Sequence, residues 1–170
     1  MALFCVNISH AQTVTPEILN KINAQADAEA ATFKQKFLQN NNDTLLANFK
    51  ADTLRIEHFM GIYMNYDYSN NGMQQATYSA ADKYDTLLNF YYQKLLAALS
   101  PEDKNVLVLA QRTWLLFRSN ELKFVQMLGG EKYSGGGTMQ QLIYSDYFLS
   151  LVRTRTCEIF EHYSRIAETH

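Results

Sequence analysis

From Pro16 onward the apolar positions recur at three- and four-residue spacing, the period of a helix that buries one stripe. Thr15, Pro16 and Glu17 supply a capping hydroxyl, a first-turn proline and a first-turn acid. They open an Ala/Gln-rich helix that runs to about Gln39. Asn40-Asn41-Asn42-Asp43 breaks it and caps a second helix from Thr44 to about Tyr66, with Leu45, Phe49, Phe59, Tyr63 and Tyr66 as its stripe. Ser69-Asn70-Asn71-Gly72 reads as the next turn. A third helix is expected from about Met73 to Leu99, burying Tyr84, Leu87, Leu88, Tyr91, Leu95 and Ala98.

Ser100-Pro101-Glu102-Asp103 is the sharpest boundary in the chain. Serine accepts from a free amide, proline needs no partner for one, and two acids face the positive helix end. The fourth helix is expected to bury Leu107, Ala110, Trp114, Phe117, Val125 and Leu128 before Gly129-Gly130 stops it. Thr138-Met139-Gln140-Gln141 fits a capping box and opens a fifth helix, with Leu142, Leu149, Val152, Ile159, Tyr163 and Ile166 on one side. Segments of about 25 residues make helices roughly 40 Å long. The pattern therefore predicts an all-α fold, an elongated antiparallel helical bundle of four to five helices.

Composition narrows the function. At 170 residues the chain has the size of one domain, and 47% hydrophobic residues are enough for a real core. A net charge of −2 leaves no strongly basic face for phosphates, so no nucleic-acid partner is expected. No apolar run approaches the ~20 residues that span a bilayer. Two cysteines exclude a disulfide scaffold.

The opening MALFCVNISHAQ combines an apolar run with small residues before Gln12. Residues 1–11 read as the remnant of a signal peptide cleaved after Ala11, which places the protein in the periplasm or outside the cell. Phe4 is too bulky to precede a lipidated cysteine at Cys5. Cleavage leaves Cys157 alone, and His162, five residues on, lies off its face. Cys157 is therefore read as a small buried hydrophobe.

Reactive motifs are scarce. Gly130 to Thr138, GEKYSGGGT, has glycines of a phosphate loop but neither its lysine nor a preceding strand, so it reads as an interhelical connection. Glu-x-x-His pairs and His-Glu-x-x-His are absent, and Glu158 with His162 makes an ion pair rather than a metal site. His58, beside Glu57, has no partner at ligand spacing. No Gly-x-Ser-x-Gly elbow occurs, and no carboxylate pair stands out for glycosidic cleavage. Neither metal nor cofactor is expected, nor a catalytic residue.

One constellation carries information: Ala110-Gln111-Arg112-Thr113-Trp114-Leu115-Leu116-Phe117-Arg118, followed by Glu121. Trp114, Arg118 and Glu121 fall along one helical stripe, so Arg118 is placed to stack on Trp114 and donate to Glu121. Asp85 and Asn89, four apart on the preceding helix, offer acceptors to the same guanidinium. Several hydrogen bonds must offset the desolvation of such an arginine. The set reads as a buried polar clamp between two helices, with a presented binding patch as its rival.

Together with Leu88-Asn89, Tyr92 and Leu95, then Gly-Gly-Thr ending at Thr138, then Leu151, Arg155 and Ile159, the Ala-Gln-Arg-x-Trp run resembles the LprI-like lysozyme-inhibitor family. The resemblance covers about residues 73–163. It implies a small exported helical domain, and through the family's name it implies inhibition of a lysozyme-type hydrolase. The family motif then falls on Asp85, Asn89, Gln111, Arg112, Trp114, Arg118, Glu121 and Arg155, as structural positions. Family members usually carry two cysteines where Leu122 and approximately Thr77 stand here. The implied crosslink, worth about 2–4 kcal/mol, is thus missing. Residues 13–72 match no recognised pattern, and residues 12–72 read as a helical extension packed on the bundle, with 73–166 as the LprI-like domain. The expected activity is that of a binding protein without catalysis, directed at a lysozyme-type hydrolase. A structural or adaptor module contacting another envelope protein is the alternative.

Overall fold

The computed structural model describes residues 13–167. The cleavage site after Ala11, and Cys5 with it, lie outside the described residues. Six α-helices and no strand occur among the described residues: α1 (Pro16–Asn40), α2 (Thr44–Tyr66), α3 (Asn70–Ala98), α4 (Pro101–Leu128), α5 (Glu131–Ser134) and α6 (Thr138–Ala167). The fold is an all-α helical bundle, as the apolar period predicts. The sixth helix is α5, one turn folded from the glycine-rich connection.

Local chemistry sets most boundaries. Thr15, Asp43 and Ser100 cap α1, α2 and α4 through their side-chain oxygens, accepting from Ile18, Leu46 and Asp103. Two starts differ from expectation. Ser69 is itself a cap, accepting from the Gly72 amide at 3.0 Å, so α3 begins at Asn70. Gly72 sits there because its backbone presses on Asp67, whose Cγ would be 2.2 Å from an added Cβ. At the start of α6, the Thr138 hydroxyl accepts from Asn70 on α3 instead of closing a capping box. The turn before it is made by Gly135, Gly136 and Gly137, all at positive φ.

The main core lies where α3 packs against α6 and α2. Phe160 stacks on Phe49 with ring centroids 3.8 Å apart, and Tyr91 meets both edge-on. Leu88, Leu149, Val152 and Ile159 are buried around them. A second cluster, Ile22, Ala26 and Phe59, joins α1 to α2. Small residues let α3 pack closely: Ala76, Ala80 and Ala81 are all buried.

Helix α4 departs from expectation. Of its predicted core stripe, Leu107, Trp114 and Val125 are half-buried, whereas Ala110, Phe117 and Leu128 are exposed. Gln111 alone is buried on that helix. The helix has apolar residues on two faces, and the bundle covers only one. Ala98 at the end of α3 and Tyr66 at the end of α2 are exposed too, beyond the reach of the core.

Candidate functional site

The motif residues other than Arg112 converge on the seam where α4 meets α3 and α6. Their placement follows from helical spacing. Gln111, Trp114, Arg118 and Glu121 advance by three or four residues and so share the inner face of α4. Arg118 lies over the Trp114 ring at 5.0 Å, and Arg155 of α6 lies over the same ring at 5.7 Å. The indole is thus shared by two guanidinium groups, which adds cation–π attraction to its packing.

Each guanidinium is held at its other atoms. Arg118 Nη1 donates to Asp85 Oδ1 of α3 at 2.9 Å. Arg155 donates through Nε to Gln111 Oε1 at 3.1 Å and through Nη1 to Glu158 at 2.9 Å. The Arg155 side chain is 13% exposed, so these bonds replace most of the water it has lost. Asp85, at 41% exposure, is at the margin of the seam. The clamp read from the sequence is therefore partly solvent-facing.

Three partners differ from the sequence expectation. Glu121 accepts from the Tyr147 hydroxyl of α6 at 2.9 Å, tying α4 to α6 rather than serving Arg118. That bond raises the Tyr147 pKa. Asn89 donates to Asp85 Oδ2 at 3.4 Å, supporting the carboxylate instead of accepting from the arginine. Glu158 pairs with Arg155, three residues before it on α6, and not with His162. Arg112 stands apart from the clamp. It is exposed, on the rim of a cleft of about 450 Å³ between α3 and α4 that Asp85, Asn89, Gln111 and Arg118 also line.

A second polar knot was not legible in the sequence. Glu57 of α2 accepts from the Tyr84 hydroxyl at 2.6 Å and from Arg153 Nη2 at 2.8 Å, joining α2, α3 and α6. Burial and the carboxylate together push the Tyr84 pKa far up, so the phenol stays a donor. The sequence signal is slight, an acid one residue after the buried Ile56. His58, unpaired in the linear reading, hydrogen-bonds Glu29 of α1. The contact lowers the Glu29 pKa, after a larger effect from Gln25.

Reactive chemistry has little to work with. Cys157 is half-buried, and burial with nearby Glu161 raises its thiol pKa, away from the thiolate. Among the described residues, no group of three or more His, Cys, Asp or Glu side chains is placed to hold a metal. No helix among them is long and apolar enough to cross a membrane. The cleft between α3, the end of α4 and the start of α6, about 510 Å³, is lined by uncharged groups such as Gln74, Tyr78, Gln140 and Tyr144.

Leu122 and Thr77, at or near which the resemblance implies cysteines, have other uses. The Thr77 hydroxyl donates to the Met73 carbonyl, and Leu122 is half-buried on α4. The family model described as "Lysozyme inhibitor LprI" matches residues 64–159. That span holds all of α3, α4 and the seam, and starts nine residues before the resemblance read from the motifs. Comparison with curated proteins and with solved structures finds no match. With more than half of its length matched, the chain belongs to the LprI lysozyme-inhibitor family.

Proposed function

We propose that the protein is exported to the periplasm or beyond, where it binds a lysozyme-type hydrolase and inhibits it without catalysing a reaction itself. One observation carries this reading: the family match over residues 64–159, which takes in the whole α3–α4–α6 seam. In this reading Asp85, Asn89, Gln111, Trp114, Arg118, Glu121 and Arg155 hold α4 on the bundle and do not touch the hydrolase. In this reading the LprI-like unit is residues 73–166, reaching back to the matched residue 64, and the chain before it is an addition, with Phe49 and Ile56 of α2 entering the shared core.

The test is a turbidity assay with lysozyme acting on bacterial cells. Slower clearing at near-equimolar protein supports inhibition, and unchanged clearing at large molar excess rejects it. An envelope protein recovered reproducibly, with hydrolases unaffected, would instead favour an adaptor. N-terminal sequencing of the exported protein checks the compartment, with Gln12 the expected first residue.

A further inference from the structure

Helix α4 turns an apolar stripe away from the bundle. Val106, Leu109, Leu116, Phe117, Phe124 and Met127 lie along its outer side and are between 47% and 70% exposed. With roughly 150–250 Å² for a large side chain, they leave on the order of 650 Å² of surface in one strip. That is at the upper end of the largest apolar patch on an ordinary monomer, about 300–600 Å². It approaches the roughly 800 Å² that each partner contributes to a stable interface.

The stripe is symmetric about the point between Leu116 and Phe117. Val106 and Met127 lie equally far from that point, as do Leu109 and Phe124, and likewise the polar members Thr113 and Asn120. Two such helices laid antiparallel across a two-fold axis would set Val106 against Met127, Leu109 against Phe124 and Leu116 against Phe117. Thr113 would meet Asn120. The Thr113 hydroxyl already donates to the Leu109 carbonyl, so its oxygen is oriented to accept from the opposing amide. Lys123 and Arg112 flank the strip; in the antiparallel pair they fall level with Ala110 and Glu121, whereas a parallel pair would set each level with its own copy. Apolar rows spaced three and four apart are what helix-to-helix seams require.

We propose that a second copy of this chain docks on the outer face of α4, antiparallel to it, giving a two-fold symmetric dimer. The mirror arrangement of the rows and their area select this occupant: another copy brings the same rows in reverse order and covers all of them. The proposal stands apart from lysozyme inhibition and does not depend on it.

Light scattering and a sedimentation concentration series on the full chain test it, with no hydrolase present. The expected mass is twice the monomer's at about 10 μM. Leu116→Glu, at an exposed position, should keep its helical circular dichroism and weaken association at least about a hundredfold. Orientation is read by pulsed electron resonance between spin labels at Asn105→Cys, with Cys5 and Cys157 replaced by serine. Antiparallel helices put the two labels roughly 35 Å apart, from the 1.5 Å rise per residue, and parallel ones well under 20 Å. A monomer up to about 100 μM overturns the proposal, as does a dimer indifferent to Leu116→Glu or a short label distance. A chain monomeric alone, whose complex with lysozyme is lost in Leu116→Glu, also overturns it and assigns the strip to the hydrolase.

Discussion

Helices α3 and α4 are nearly equal in length, 29 and 28 residues, and both read as amphipathic, yet the bundle treats them differently. On α3 the predicted apolar stripe is buried from Tyr84 to Leu95, against aromatic rings from α2 and α6. On α4 the inner face is a polar and aromatic mixture, and the richest apolar rows point outward. Helix α3 is held by excluded water and close packing. Helix α4 is held by Trp114 between two arginines and by hydrogen bonds to Asp85, Arg155 and Tyr147. Partly exposed polar bonds contribute less each than buried rings do, so α4 should be the more easily released element.

Removing a ring from the core should have the largest effect. Phe160→Ala deletes the partner of Phe49 and one edge contact of Tyr91, and should cost about 3–5 kcal/mol in urea unfolding. Trp114→Ala should cost less, about 1–3 kcal/mol, because the indole is half-buried. Its signature should be local: amides of α4 exchange faster with deuterium, while those of α3 and α6 keep their protection. A loss equal to that of Phe160→Ala, spread over all helices, would erase the contrast between the two regions.

Asp85→Ala tests the same seam more gently. The ion pair with Arg118 is partly exposed, so at most about 1 kcal/mol should be lost, again with faster exchange confined to α4. The smallest effect concerns the core side. Burial raises the pKa of Asp52 above 3.8, outweighing its pairing with Arg55. The folded protein then binds this proton more tightly than the unfolded chain does. Stability from this group accordingly falls as pH rises from 3.8 through the raised value. Asp52→Asn should remove that downward slope from a plot of melting temperature against pH. A slope of the same size in the variant would show that burial of Asp52 has no such cost.

The sites split in the same way between what was legible and what was not. Capping by Thr15, Asp43 and Ser100 was readable because each bond spans three residues of one helix. The stacking of Arg118 on Trp114 was readable for the same reason, at four residues. The choice of Asp85 and not Glu121 as the acceptor for Arg118 was open, since spacing along α4 allows Glu121 while Asp85 lies on α3, and only the packing of the helices decides. The knot of Glu57, Tyr84 and Arg153 joins residues 27 and 96 positions apart, and no local rule reaches that far. Phe117 and Leu128 illustrate the converse error. Their spacing placed them on an apolar face, but that face looks away from the bundle.

The sequence alone determined that this protein is helical, where most of its helices start, and which family it joins. Those features depend on contacts within a few residues or on a motif carried in one run. Tertiary structure decided which face of α4 meets the bundle and which acceptors its arginines take. A helix with apolar residues on two sides has two comparable ways to bury surface, and the choice belongs to the neighbours that close around it.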